Sequence, residues 1–253
     1  MTPTDSTGPA DRLRRALQTA SSSDRLQSAL AAGTRPDPAF VEVLVQRCAV
    51  EPDFFVRDML TWALLRHPAA RTVPRLVYEV GSDVPQARSQ ALHTLSKIGD
   101  PRGWSAISTE LLRDPDDSVA RSAWRTAAGL VPAGQEAGLA AELVSQLGRG
   151  SRETRQSLSR ALAVLGEVTL PLLEARRTDD RSGVRLHAAV SAALVRDPKA
   201  SFDSLYEEAQ RADAAARARA AGGPAASAAA AAGDPAGSAA GAESGPAASG
   251  AGA

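Results

Sequence analysis

A pattern of about thirty residues recurs along this chain of 253 residues, and it constrains the fold more than any other feature. One arginine marks each copy, and successive arginines are 31, 33, 34 and 30 residues apart. The marked positions are Arg57, Arg88, Arg121, Arg155 and Arg185. Repeats of this length are typical of solenoids, in which each repeat buries its apolar face only against its neighbours. The period therefore predicts a stacked array.

Each marked arginine lies near the start of a stretch whose apolar residues have a helical period. Around Arg121, for example, Ala120 lies one residue before the arginine, and Trp124 and Ala128 lie three and seven residues after it. These offsets fall on one stripe of an α-helix. A shorter apolar-periodic stretch precedes each marked one. Each repeat is thus predicted to hold a first helix, a polar turn and a second helix that carries the arginine.

The composition agrees with packed helices and excludes several other classes. Aromatic residues make up 4% of the chain, which argues against a β-sandwich. The 29 basic and 29 acidic residues balance, so the net charge indicates neither a nucleic acid nor an anionic membrane as partner. Cys48 is the single cysteine, which excludes an internal disulfide and a zinc site with several cysteines.

Two segments, DPDDSVARSAW at 114–124 and LSKIGDPRGW at 95–104, carry turn aspartates, an alanine-rich second helix and a Gly-Asp-Pro exit. In these features the chain resembles HEAT-repeat proteins, in particular the short repeats of the phycobilisome-lyase type. The resemblance covers about residues 38–206. It implies an all-α fold, a right-handed α-solenoid of about five HEAT-like helix pairs with an N-terminal helical cap. It says little about function, because such scaffolds serve many roles.

The sequence predicts a division of the chain into four parts. After Tyr206 no apolar residue larger than alanine occurs, so the C-terminal segment cannot bury enough surface to offset the entropy of ordering. The predicted parts are a disordered N-terminus at 1–10, a helical cap at 11–37, the repeat array at 38–206, and at 207–253 a short helix extension followed by a disordered tail rich in Ala, Gly, Ser and Pro.

The five marked arginines are predicted to form a structural ladder. Each lies at the edge of the buried stripe, where its guanidinium can reach an aspartate or a carbonyl of a nearby turn. The resemblance to HEAT repeats implies Asp/Arg pairs, with Asp53 beside Arg57 and Asp117 beside Arg121. The alternative, a stripe of phosphate-binding arginines, would require that these side chains lie free in a groove.

The side of each second helix that points away from the core is the predicted binding surface. By the resemblance, second helices line the concave face of the array. Trp62 is predicted to be exposed there, and exposed aromatic residues are enriched at binding hot spots; alternatively, the N-terminal helices cover it. The candidate partner-binding residues are Asp58, Trp62, Arg66, Ser89, His93, Lys97, Arg125 and Arg160.

No arrangement in the sequence predicts catalysis. His67, His93 and His187 take different positions in different repeats, so they are not expected to meet at a metal. The chain also contains no nucleophile elbow, Walker or zinc-protease motif. We therefore predict no catalytic residue, no cofactor and no metal.

The resulting hypothesis is a non-catalytic scaffold or adaptor that binds a protein or peptide on its concave face. The chain has no signal-peptide pattern and no window apolar enough to span a membrane, so we expect a cytoplasmic monomer without membrane contact. One alternative is nucleic-acid binding, as in HEAT-repeat DNA glycosylases. Another is a bilin-lyase-like accessory protein, which rests on the resemblance alone.

Overall fold

The computed structural model describes residues 8–221, and the predictions made for residues 1–7 and for the tail beyond residue 221 lie outside this range. Regular structure within residues 8–221 consists of helices, without a strand. The α-helices are α1 (Pro9–Ala16), α2 (Ser22–Thr34), α3 (Phe40–Val50), α4 (Phe54–Leu65), α5 (Ala69–Glu79), α6 (Pro85–Ile98), α7 (Thr109–Leu112), α8 (Asp117–Leu130), α9 (Glu136–Val144), α10 (Arg152–Leu165), α11 (Leu170–Ala175), α12 (Ser182–Arg196) and α13 (Phe202–Ala221). The fold is an all-α array of helix pairs.

The even-numbered helices from α2 to α12 are the second helices of successive pairs. They pack neighbour on neighbour along the array, while the first helices form the other layer. Short 3-10 helices complete two first-helix positions, at Pro101–Ala106 before α7 and at Gly166–Thr169 and Arg176–Thr178 around α11. The predicted cap is itself a helix pair, α1 with α2, and α1 begins at Pro9. Chain contacts separate this array, up to Gln210, from a second unit that begins at Arg211.

Turn residues mark where several of the second helices begin and end. Asp53 caps α4, since its Oδ1 accepts the backbone N–H groups of Phe55 at 2.9 Å and Val56 at 3.1 Å. Ser151 caps α10 in the same manner. At the end of α6, Gly99 takes a left-handed conformation with φ of 69°, which a glycine adopts without strain.

The core runs between the two helix layers and consists mainly of leucine, valine and alanine. Trp124 is fully buried in α8, and its Nε1 donates to the Leu112 carbonyl at 2.8 Å, so its polar atom is satisfied. Leu60 and Leu92 are likewise fully buried. Burial of one such side chain contributes roughly 1.5–3 kcal/mol, so the apolar stripes of the helices are the main attraction between the layers.

The second helices carry a ladder of arginines that bind the turn preceding their own helix. Arg57, for example, donates from Nη1 to the carbonyls of Glu51 at 2.8 Å and Pro52 at 2.7 Å. These carbonyls lie between helices and have no partner within a helix, so the guanidinium satisfies them. Corresponding bonds to carbonyls five or six residues upstream are made by Arg25, Arg88, Arg155 and Arg185.

Arg121 departs from this ladder. Its guanidinium contacts Glu153 at 3.3 Å instead of the preceding turn. Arg149 binds that turn in its place, donating from Nη2 to the Asp114 carbonyl and from Nε to Asp117 at 3.0 Å. The predicted pairing of Asp117 with Arg121 is therefore wrong, because a residue outside the repeat register occupies the position.

The predicted pairing of Asp53 with Arg57 is also wrong. The Asp53 carboxylate caps α4, as described above, and Arg57 binds backbone carbonyls rather than this carboxylate. The acidic residue that ladder arginines contact lies in the following turn instead. Arg25 pairs with Glu51, and Arg88 pairs with the buried Asp114 at 2.9 Å. These two ladder arginines thus link consecutive turns.

A buried ion cluster joins the first helix pair to the second. The Glu51 carboxylate is fully buried and accepts two bonds from Arg25, at 2.9 and 2.8 Å. Arg47 donates two further bonds to the same carboxylate, and the backbone N–H of Asp53 donates another at 3.0 Å. Burial by itself raises the pKa of Glu51, but these donors outweigh it and lower the pKa to about 2.

Replacing Glu51 by glutamine should lower the free energy of unfolding by about 3–5 kcal/mol, because the two guanidinium groups would then lie beside a buried site without a counter-charge. Urea unfolding at pH 7 measures this loss. Glu42→Gln is the matched control, since Glu42 pairs with Arg75 near the surface with a side chain that is 48% exposed. We expect it to cost less than about 1 kcal/mol. Equal losses in the two variants would contradict the role assigned to the cluster.

A second buried polar group joins the last two repeats. His187 of α12 is fully buried, and its Nδ1 accepts the Gly148 N–H at 3.0 Å. Its Nε2 lies 2.9 Å from the Arg155 carbonyl and 3.0 Å from Ser159 Oγ, which in turn is 2.8 Å from Ser191 Oγ. The imidazole is therefore neutral with its proton on Nε2. Burial lowers its pKa to about 4, and the bond to the Arg155 carbonyl opposes this only in part.

Stability should fall as the pH is lowered from 6.5 to about 4, the window between the ordinary and the native pKa of His187. The unfolded chain takes up a proton in this window and the native one does not, so the unfolded state is stabilised relative to the native state. The full effect amounts to roughly 3 kcal/mol at about 1.4 kcal/mol per pH unit. Urea unfolding across this range checks it, with His187→Gln as the variant that lacks the titration. If both proteins have the same pH slope, His187 does not titrate as described.

Candidate functional site

The predicted binding residues lie along the side of α4, α6, α8 and α10 that faces away from the first helices, which we call the second-helix face. Six of the eight are exposed: Asp58, Trp62, Arg66, Lys97, Arg125 and Arg160. Ser89 and His93 are half-buried. The face therefore presents four cations, one aromatic ring and one carboxylate to the surroundings.

His93 lies at the centre of the charged part of this face. Arg125 Nη1 donates to its Nδ1 at 3.2 Å, so the imidazole is neutral and its proton is on Nε2. Burial lowers the pKa of His93, and the positive charges of Arg125 and Lys97 lower it further, while Asp58 acts in the opposite direction. These electrostatic interactions place side chains from α4, α6 and α8 in one neighbourhood.

Three arginines line a cavity between α8 and α10, which we call the arginine cradle: Arg121, Arg125 and Arg160. The cavity has a volume of about 140 Å³, and the polar side chains of Gln156 and Ser157 also line it. Burial lowers the pKa of Arg125, and the charges of Arg121 and Arg160 lower it further. Three like charges thus stand close together, and the exposed Glu153, which contacts Arg121 at 3.3 Å, is the one carboxylate in the lining, so the arrangement favours a further anion within the cavity.

A larger depression adjoins the cradle and is mainly apolar. It has a volume of about 470 Å³ and shares Gln156, Arg160 and Val164 with the cradle. Leu194 of α12 and Phe202 of α13 form its far side. Both of these side chains are buried, whereas Val164 is 66% exposed. The two cavities therefore adjoin one another, and the lining of the more apolar one also includes Lys199.

Neighbouring second helices pack closely enough to bury part of the predicted face. The Ser89 hydroxyl lies 3.1 Å from the Ser118 carbonyl and 3.0 Å from Ser122 Oγ, so it binds α6 to α8. One turn further along α8, Thr126 is fully buried and its hydroxyl donates to the Leu92 carbonyl at 2.8 Å. Ser89 is therefore a helix-to-helix contact, and its hydroxyl has its partners within the chain.

Trp62 is 36% exposed because one side of its ring packs against α2. A Cβ placed on Gly33 would lie 2.3 Å from Trp62 Cζ3 and 2.9 Å from the Ala63 Cα, so only a glycine fits there. On the open side, the Arg66 guanidinium lies 5.9 Å from the ring centroid, a distance typical of a cation–π contact. The N-terminal pair thus covers half of the tryptophan and leaves the rest accessible.

Gly33→Ala should destabilise the protein by about 1–3 kcal/mol, because α2 and α4 would have to separate. In a Trp62→Ala background the penalty should be smaller, since the nearest ring atoms are gone, but the Ala63 backbone keeps it above zero. Urea unfolding of the double-mutant cycle gives the coupling energy. Gly129→Ala in α8 is the control, because its Cβ would meet no atom within 4 Å. It should stabilise by about 0.5–1 kcal/mol. Additive effects at Gly33 and Trp62 would refute the contact.

The sequence pattern assigned Arg121 to the ladder, placed Gln156 on the outward side of its helix without making it a candidate, and did not indicate Ser157. Gln156 occupies the first offset after a marked arginine, which the helical wheel does place on this face. Arg121 offered no such signal, because its release depends on Arg149, a turn residue outside the repeat pattern.

The described residues include no group of three or more His, Cys, Asp or Glu side chains placed to hold a metal ion. Within residues 8–221, no helix has both the length and the apolar character that crossing a membrane requires.

Comparisons with known proteins concern the general architecture alone. No family model matches the chain, and no curated protein matches it. Among solved structures, one engineered protein is 17% identical over 75% of this chain and 99% of its own, with a TM-score of 0.42. A second engineered protein is 20% identical over 81% of this chain and 67% of its own, with a TM-score of 0.41. Human deoxyhypusine hydroxylase in complex with glycerol is 17% identical over 80% of this chain and 94% of its own, with a TM-score of 0.37.

Proposed function

We propose that this chain is a non-catalytic HEAT-repeat scaffold that binds an acidic segment of a protein or peptide on its second-helix face. The family assignment rests on the repeat residues in the sequence, namely the turn aspartates, the alanine-rich second helices and the Gly-Asp-Pro exit. The cytoplasmic location and the monomeric state remain predictions from the sequence.

The observation that carries this proposal is a row of cations without counter-charges. The side chains of Lys97 and Arg160 have no hydrogen-bond or ion-pair partner anywhere in residues 8–221. Arg125 donates to the neutral His93, so its charge is also uncompensated. Several other surface arginines have carboxylate partners, as Arg113 has in Glu142 at 2.5 Å and Arg196 has in Glu174 at 2.8 Å. A surface that concentrates one sign of charge attracts a partner of the other sign.

The half-exposed Trp62 adds an apolar contact at one end of the row, and the depression around Val164 adds another at the opposite end. Peptide grooves commonly combine apolar anchors with charges that fix orientation. Nucleic acid is the second candidate, because the same cations would also bind phosphates. The overall neutral charge of the chain favours a protein partner over a nucleic acid.

Peptides selected from a random displayed library on the native protein should be acidic, and their binding should depend on this face. Lys97→Gln/Arg125→Gln is expected to weaken them at least tenfold in fluorescence anisotropy, because two uncompensated charges are lost. Arg71→Gln/Arg177→Gln removes the same charge from exposed residues of the first-helix layer and its turn. This control variant should bind like the native protein.

A duplex DNA probe of random sequence tests the competing hypothesis that the face binds nucleic acid. Binding at ~50 mM salt that weakens steeply by ~200 mM, and that is tighter than any selected peptide, would assign the face to nucleic acid and overturn the proposal. Peptides that bind both double variants equally well would also overturn it, because their site would then lie elsewhere.

A further inference from the structure

One arginine of the cradle, Arg121, occupies a ladder position but does not make the ladder contact. Five ladder arginines bind the turn before their own helix, whereas at the position of Arg121 this contact is made by Arg149. Arg121 keeps a single carboxylate contact, at 3.3 Å to Glu153, whose side chain is 79% exposed. Arg121 therefore lines the cavity instead of holding a turn, and the repeat itself does not require it there.

The charge of the cradle defines the charge of the ligand that fits it. Three guanidinium groups facing one carboxylate leave a formal charge of +2. The nearby His93 is neutral, because its Nδ1 accepts a bond from Arg125. A dianion therefore balances the site. One carboxylate, or one phosphodiester of a nucleic-acid backbone, supplies only half of the charge.

A phosphate monoester meets these requirements. It carries a charge of about −1.5 to −2 at pH 7 and offers three strong acceptor oxygens. A guanidinium can donate two parallel hydrogen bonds to such oxygens, so three arginines can bind all three of them. The cavity of about 140 Å³ also has room for a phosphoryl group, since one molecule of liquid water occupies only roughly 30 Å³. Gln156 and Ser157 add uncharged donors along the wall.

The adjoining depression points to the source of the phosphate. It shares Arg160 and Val164 with the cradle, and its far side is formed by Leu194 and Phe202. An apolar residue next to a phosphorylated side chain would reach it, whereas an inorganic phosphate would leave it empty. We propose that the arginine cradle binds the phosphoryl group of a phosphorylated side chain, while the depression takes a neighbouring apolar residue of the same segment. This inference rests on the proposed function, because it specifies the class of peptide.

The test uses the full chain with three probes at pH 7.5 and ~150 mM salt. They are inorganic phosphate, a phosphoserine peptide with leucine on both sides of the phosphoserine, and the same peptide without the phosphate. The Nε–H resonances of the arginines report binding at each guanidinium, and fluorescence anisotropy gives the affinity. We expect Arg121, Arg125 and Arg160 to shift with phosphate and with the phosphopeptide, and we expect the phosphopeptide to bind at least tenfold more tightly than its unphosphorylated form.

Variants locate the site. Arg125→Gln/Arg160→Gln should weaken the phosphopeptide at least tenfold, and Arg71→Gln, which removes one exposed charge from the first-helix layer, should leave it unchanged. Arg160→Lys keeps the charge but lacks the planar fork, so an intermediate loss is expected. The double variant relieves repulsion within the cradle, and a thermal midpoint at or above that of the native protein would show that it folds.

Two results would overturn the inference: no shift of the three arginine resonances with either phosphate probe, or equal phosphopeptide binding by the native protein and the double variant. If acidic peptides without phosphate still bind through Lys97 and Arg125, the proposed function stands and the cradle has no phosphate specificity. If inorganic phosphate and a nucleoside monophosphate bind the cradle but no peptide binds the face, the site takes small phosphate esters. That outcome would refute both the peptide source and the proposed function.

Discussion

The array depends on one interaction, the guanidinium group that satisfies the carbonyls of the turn before its own helix. A helix-pair repeat must reverse its chain within a few residues, and the carbonyls of that reversal have no partner in either helix. Arginine has five donors in a rigid plane and can bind two carbonyls with one nitrogen, as Arg57 does with Glu51 and Pro52. Where a second donor group remains, Arg25 and Arg88 use it to bind an acid in the following turn, so the same residue that closes one repeat connects it to the next.

The exception to this interaction generates the site. Arg149 reaches back to the turn of the fourth pair, and the arginine that the repeat provides there is left to face a cavity with two others. The cost of holding like charges together is visible in the lowered pKa of Arg125, where burial acts together with the charges of Arg121 and Arg160. One position in an array of otherwise equivalent repeats thus differs from the rest, while the backbone architecture stays the same.

The sequence was sufficient to predict the features that each repeat determines through its own residues. The helical period placed the second helices, and the fifth offset placed Trp62, His93 and Arg160 on the outward face, with Lys97 and Arg125 nearby. Features that depend on the distance between repeats could not be predicted. Ser89 and Thr126 bind neighbouring helices because small residues let the second helices approach closely, and no single repeat encodes that distance. The packing of Trp62 on Gly33 likewise depends on the N-terminal pair, and the sequence offered coverage of Trp62 by these helices only as an alternative.

The two ends of the array are joined by different chemistry, and this gives the molecule a direction. At the N-terminal joint, Glu51 is held by two arginines and stays ionised down to low pH. At the C-terminal joint, α10 and α12 meet through the neutral His187 and the hydroxyls of Ser159 and Ser191. Since each repeat contacts only its neighbours, an array can come apart from either end. Between pH 6.5 and about 4 acidification weakens the joint at His187 while Glu51 keeps its charge, so the C-terminal joint is the acid-sensitive one of the two.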